Sequence, residues 1–248
     1  MRIDVYLTPF FPEIELMFAD SYVVMIDVLR ASSTIAAALY NNAKEIITTD
    51  TTEKAISIYN NLDKEHRFLA GERNCIKPSG FDAGNSPSEF KRELVENKTV
   101  IITTTNGTKI FSKAKEAKKR IIACFVNFDI VLNDIYDAIQ DNKVKSIYFL
   151  CAGTNGRITY EDSLCAGAYI SNIFKKFTDI NITDSAQTSM DLYELHKSHL
   201  IDFIKSREHS QKLISLNLEK DVDECLSLNK YPVLPVLIGN KIIKEKKF

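Results

Sequence analysis

The 248 residues are 45% hydrophobic and 26% charged, with a formal net charge of -1 and a pI near 6.4. That length can bury a substantial core, as one large domain or two small ones, and the composition is that of an ordinary globular protein. The balanced charge, with no dense Lys/Arg run, argues against DNA or RNA as a partner. No segment reads as a signal peptide or a membrane span.

In chain order, strands are expected at 3–8, 22–27, 45–49, 67–71, 99–105, 120–125, 146–151 and 232–238. Helices are expected at about 31–41, 51–61, 87–95, 108–117, 128–140, 161–176, 187–204 and 221–228. Continuous β-branched strands separated by long helices indicate a sheet covered on both faces. The expected fold is α/β: a three-layer α/β/α sandwich with a largely parallel or mixed central sheet. It forms a single domain over 1–248, which two closely packed lobes would also satisfy.

Cys75, Cys124, Cys151, Cys165 and Cys225 are widely spaced, with no CxxC pair. This argues against a disulfide framework or a structural zinc site and for a reducing cytoplasm. His66, His196, His199 and His209 form no HExxH cluster, and neither GxGxxG nor a Walker A pattern is present.

Functional groups in such a fold gather where strands give way to helices. At "VVMIDVLRASST" (23–34), Asp27 ends an apolar strand, Arg30 follows, and Ser32, Ser33 and Thr34 open a small-residue helix. A helix start offers unpaired N–H groups to an anion. A carboxylate at the strand end could instead hold magnesium. A capping Asp or Ser beside a surface Arg is the plain structural alternative. Leu29 rules out the DxD arrangement of haloacid-dehalogenase-like phosphatases.

At "AGERNCIKPSGFDAGNSPSEF" (70–90), Ser86, Pro87 and Glu89 make a helix start with a capping box. That leaves Glu72, Arg73, Asp82 and Asn85, which tight turns at Gly80 and Gly84 would bring together. Two further junctions, "IITTTNGTK" (101–109) and "YFLCAGTNGRITYED" (148–162), each place Thr-Asn-Gly after an apolar strand. Thr105, Asn106 and Gly107 in the first, with Asn155 and Gly156 in the second, can present backbone donors and amides to one anion. Arg157 comes next, then Glu161 and Asp162, acids that a helix start favours in any case. Cys151 and Arg157 also have the spacing of a cysteine-phosphatase nucleophile loop, although Cys151 extends an apolar strand and reads equally as core.

Taken in order, "IDVLRASSTI" (26–35), "GER…GFDAGNSPSEF" (71–90), "TTTNGTK" (103–109), "AGTNGR…EDSLCAGA" (152–168) and the tail "DVDECLSLNKYPVLPVL" (221–237) resemble the 2-phosphosulfolactate phosphatase family of the coenzyme M pathway. The resemblance spans most of the chain. It implies a magnesium-dependent phosphohydrolase releasing phosphate from 2-phospho-3-sulfolactate, on an α/β/α fold of the family's own. The family's polar positions map onto Asp27, Arg30, Glu72, Arg73, Asp82, Asn85, Thr105, Asn106, Asn155, Glu161 and Asp162. The sequence departs from the family at "REHSQKL" (207–213), with Ser210 where similar chains tend to have glycine and Gln211-Lys212 where arginines are common. His209 is therefore left out of the expected site, and a shifted substrate preference is left open.

The implied substrate carries phosphate, sulfonate and carboxylate, which calls for arginines, helix starts and a cation. Asp27, Arg30, Glu72 and Arg73 are the expected catalytic residues. Mg²⁺ is expected on carboxylates drawn from Asp27, Glu72, Asp82, Glu161 and Asp162, with Asp27 foremost. Arg30, Arg73 and Arg157, with the Thr-Asn-Gly loops, would hold the phosphate and sulfonate. Direct water attack and a phosphoaspartate on Asp27 both stand. Two rivals remain. One is a metal-independent cysteine phosphatase using Cys151 and Arg157. The other is a non-catalytic binder of sulfonated or phosphorylated acids, disfavoured because carboxylates beside the loops repel an anion. A cytoplasmic location, a small anionic phosphorylated substrate and an ordinary homodimer complete the expectations.

Overall fold

The computed structural model describes residues 1–11 and 17–245. The elements run β1 (Arg2–Tyr6), β2 (Ser21–Ile26), α1 (Ala31–Tyr40), β3 (Glu45–Thr49), α2 (Thr52–Asn60), β4 (Arg67–Gly71), α3 (Arg92–Val95), β5 (Thr99–Thr103), α4 (Gly107–Phe111) and β6 (Lys119–Ala123). They continue with α5 (Phe128–Gln140), β7 (Ser146–Cys151), α6 (Tyr160–Lys176), β8 (Asn181–Ile182), α7 (Asp184–His196), α8 (Leu200–Lys205), α9 (Glu208–Ser215), α10 (Glu219–Cys225), β9 (Pro235–Ile238) and β10 (Lys241–Lys244). The architecture is the expected α/β/α sandwich around a mixed sheet.

Strand order is β4-β5-β3-β10-β9-β6-β2-β7-β1-β8. Two all-parallel blocks, β4-β5-β3 and β6-β2-β7-β1-β8, are joined through the β9–β10 hairpin, whose pairings with β3, with each other and with β6 are antiparallel. Three successive reversals set the strands of one block against those of the other along the ladder. The loops beyond β2, β4, β5 and β7 nevertheless meet, through Val28 to Asp162, Thr105 to Glu72 and Asn155 to Asn106. Helix α1 packs against β3, β6, β9 and β10, across the seam between the blocks. The innermost strands are continuous apolar runs because both faces are covered. All six residues of β2 and all five of β5 are buried.

Several boundaries moved. The helix expected at 87–95 is a 3-10 turn at Pro87–Glu89 followed by the short α3. The one expected at 108–117 stops at Phe111, and the one expected at 187–204 is broken by a 3-10 turn at Lys197–His199. The strand expected at 99–105 ends at Thr103, which frees Thr104 to Asn106 as a loop. Helix α9 and strands β8 and β10 had no sequence counterpart. No helix among the described residues is long and apolar enough to cross a membrane.

Candidate active site

Asp27 follows β2 directly, and Ile26 pairs with Cys151 of β7. The loop into α1 closes on itself: the Asp27 N–H donates to Ser32 Oγ at 2.9 Å, and the Ser32 N–H to the Asp27 carbonyl at 2.8 Å. The Ala31 N–H donates to Asp27 Oδ1 at 3.3 Å, and the Thr34 N–H to the Arg30 carbonyl at 2.9 Å. The first donors of α1 thus hold the loop rather than pointing free toward an anion, as the sequence had suggested. They fix a buried carboxylate whose Oδ2 has no hydrogen bond among the described residues. Burial pushes Asp27 up to about 7, with Glu72 and Glu161 adding to the rise against His209 and the Ala31 N–H.

The other loops converge on it. Glu72, just past β4, takes the Cys75 N–H on Oε2 and the Thr105 N–H on Oε1, both at 2.7 Å, tying two loops together. Asp162, in the first turn of α6, takes the Val28 N–H at 2.8 Å and the Gly153 N–H at 3.0 Å. Burial, with Glu161 and Asp27 nearby, holds Asp162 well above the usual carboxylate range despite those bonds. The two Thr-Asn-Gly segments meet here, Asn155 donating its N–H to Asn106 Oδ1 at 3.3 Å.

A tight cavity of about 40 Å³ is lined by Asp27, Arg30, Glu72, Asn85, Thr104, Thr105, Asn106, Thr154, Asn155, His209 and Lys212, among others. Within it, Asn85 Oδ1, Thr104 Oγ1 and Thr105 Oγ1 are buried with no hydrogen-bond partner. A wider cleft of about 910 Å³ adjoins it, sharing Thr154, Asn155, His209 and Lys212 and adding Arg157, Tyr160, Glu161 and Arg207. Among the described residues, no three His, Cys, Asp or Glu side chains form a metal-binding group. Magnesium, however, characteristically uses one or two carboxylates and completes its shell with neutral oxygens, water and phosphate. The oxygens around Asp27 are of that chemical kind.

Not every expected residue faces the cavity. Asp82 is exposed, and its Oδ2 accepts the Leu69 N–H at 2.8 Å, bracing β4. Arg73 donates to the Glu72 carbonyl, the Asp50 carbonyl and Thr103 Oγ1 at 2.7, 3.0 and 2.7 Å, and lines neither space. Arg30 is at the cavity wall, but its guanidinium is held by Asp221 at 2.5 Å and by the Cys75 carbonyl at 3.2 Å. Arg157 is exposed in the cleft.

Two features went unread in the sequence. His209 of α9 bonds Glu161 Oε1 through Nδ1 at 2.5 Å and lies 3.4 Å from Thr154 Oγ1, while Glu161 Oε2 is buried and unpartnered. Burial alone would pull the imidazole down; the Glu161 hydrogen bond and the Glu161, Asp27 and Asp162 charges outweigh it and raise its pKa. Asp221 of α10, which neutralises Arg30, also accepts from Ser86 Oγ at 2.6 Å. The capping box had assigned Ser86 a local role only.

Cys151 is fully buried, and burial, with Asp162 and Glu161 beside it, drives its thiol well above the ordinary range. A nucleophilic thiolate needs the opposite environment. The adjoining turn has another explanation. Thr154 and Arg157 exchange N–H···O bonds at 2.9 Å, with φ of 52° at Asn155 and 78° at Gly156. Positive φ at both central residues is the signature of a type I′ turn, for which Asn-Gly is the favoured pair.

Carboxylates at strand ends, set around unpaired oxygens, suit chemistry on a small polar substrate, and comparison with known proteins makes the class definite. A family model described as 2-phosphosulpholactate phosphatase matches residues 11–240. A probable 2-phosphosulfolactate phosphatase of Clostridium botulinum (strain Eklund 17B / Type B) is 36% identical over 244 residues, covering 98% of this chain and 100% of its own. Proteins of the same description from Caldanaerobacter subterraneus subsp. tengcongensis and Thermotoga maritima are 39% and 37% identical, covering 91% and 90% of this chain and 90% and 92% of their own. The chain belongs to the 2-phosphosulfolactate phosphatase family.

Proposed function

We propose that the protein is a magnesium-dependent phosphohydrolase that removes phosphate from 2-phospho-3-sulfolactate, giving 3-sulfolactate, or from a closely related anionic 2-phospho acid. The family membership supports the reaction. The observation that carries the site is Asp27, a buried carboxylate with a pKa near 7, an unbonded Oδ2 and unpartnered hard oxygens sharing its cavity. Asp27, with Asn85 Oδ1 and the Thr104 and Thr105 hydroxyls, is the set that would hold the magnesium ion. Bound there, the ion would neutralise charge on the phosphoryl oxygens.

The chain's own groups supply the rest. Phosphoryl transfer depends chiefly on positioning and electrostatics, and Glu72 and Asp162 serve positioning by pinning the loops through backbone N–H groups. Asp27 would attack phosphorus or direct a water; both routes need it deprotonated. The departing alkoxide needs a proton. His209, held by Glu161 at Nδ1, keeps Nε2 to deliver it.

The test is phosphate release from 2-phospho-3-sulfolactate with magnesium, with EDTA, and after magnesium is restored. Release should fall to background on chelation and recover. Undiminished release in EDTA, lost in Cys151→Ser, would establish the thiolate mechanism instead.

A further inference from the structure

The proposed substrate is more anionic than the cavity around Asp27 can balance. Asp27 and Glu72 line that cavity and Glu161 lines the adjoining cleft, so a second acid group on the substrate enters a field of like charge. The arginines do not answer it there. Arg30 is neutralised by Asp221, and Arg73 lines neither space. Arg207 donates to Ser206 Oγ and lies 4.5 Å over the Phe203 ring, while Arg157 borders only the cleft.

Lys212 is placed differently. It lines both the cavity and the cleft, is exposed, and its ammonium has no hydrogen-bond or ion-pair partner among the described residues. It sits three positions after His209 on α9, so both side chains rise from one helix face. Leu213 beside it is buried and anchors that helix. The cavity of about 40 Å³ suits an ion and phosphoryl oxygens, so a group on the carbon beside the phosphorylated one lies where cavity meets cleft, a boundary that Lys212 lines and Arg157 does not.

We propose that Lys212 is the specificity-determining residue for the substrate's second acid, holding a sulfonate or carboxylate on the carbon next to the phosphorylated one. The inference rests on the phosphatase reading above and names the partner of that substrate's far end. An ammonium is a compact point charge with three donors, and it imposes less planar geometry than a guanidinium. Both sulfonate and carboxylate should therefore be accepted.

The test compares 2-phospho-3-sulfolactate with 2-phospholactate, which lacks the second acid, in the wild type, Lys212→Met and Lys212→Arg. In Lys212→Met the ratio of kcat/KM for the two substrates should fall at least about tenfold, as loss of one charged hydrogen bond implies. The change should lie in KM, and Lys212→Arg should restore most of it. An unchanged ratio overturns the proposal, whether both substrates suffer or neither does. Calorimetric binding of 3-sulfolactate against lactate needs no turnover and separates the two ideas. If the wild type releases no phosphate, the phosphatase reading falls. Selective loss of sulfolactate binding in Lys212→Met still upholds Lys212, while equal or absent binding overturns it.

Discussion

Thr105-Asn106-Gly107 and Thr154-Asn155-Gly156 reach the same cavity from opposite blocks of the sheet, and they use their shared residues differently. In the second segment Asn155 and Gly156 are the two centres of a type I′ turn, and glycine is needed there for its φ of 78°. In the first, Gly107 begins α4 without any positive φ, and glycine is needed for room. A Cβ on Gly107 would stand 2.7 Å from Asp27 Oδ2 and 2.8 Å from Ala31 Cβ. One glycine bends the chain; the other lets a helix press against the Asp27 carboxylate. An identical tripeptide therefore says little about role until its neighbours are known.

The largest effect should come from the group that Gly107 accommodates. Asp27→Asn should lower kcat by about 10³-fold, the scale of losing an essential proton-transfer or nucleophilic group. The same variant should be more stable than the metal-free wild type at alkaline pH. Folded Asp27 keeps its proton to about pH 7, whereas the unfolded chain releases it near 3.8, so rising pH between these values weakens the fold. The shift corresponds to at most about 4 kcal/mol. Urea unfolding in EDTA should show the Asn variant's advantage growing from pH 4 to 7 and then levelling off. An equal gap at pH 5 and pH 8 would contradict the assignment.

The two glycines should then part company. Gly107→Ala is expected to cost about 1–3 kcal/mol by overpacking and about 10²-fold in activity by displacing Asp27. Gly156→Ala meets only the ring of Phe10, an exposed side chain able to swing away, so its penalty is the left-handed backbone. That penalty is about 1 kcal/mol of stability, with activity kept within about threefold. Equal losses of activity in the two variants would break the contrast. The smallest effect belongs to Cys151→Ser, which should leave turnover within about twofold and lower stability by about 1 kcal/mol for a buried hydroxyl. Activity and urea midpoints measured together check all three.

Much of the fold was legible because buried parallel strands read as apolar runs, and β2, β5 and β7 stood out for that reason. The β9–β10 hairpin is signalled only by Gly239-Asn240 between apolar stretches, and the four residues of β10 are too short a run to stand out. Asp27 and Glu72 are legible as polar residues at strand ends, and Asn85 as a polar residue of the glycine-rich loop beyond β4. Asp82 and Arg73 carried the same signal and yet brace backbone, because a loop's sequence does not say which way its side chains turn. His209 stands beside the atypical Ser210, so its local sequence argues against a role at the site. Its partner Glu161 lies 48 positions away, a pairing no local pattern encodes.

The ion pair between Arg30 and Asp221 joins residues 191 positions apart. At cellular synthesis rates of roughly 5–20 residues per second, Arg30 leaves the ribosome on the order of ten seconds or more before its counter-charge. During that interval the strands around Asp27 can pair, but an uncompensated guanidinium resists burial. The pocket around Asp27 is therefore expected to be a late product of biosynthesis, sealed when α9 and α10 dock. A nascent chain stalled before residue 221 would carry most of the sheet and none of the activity.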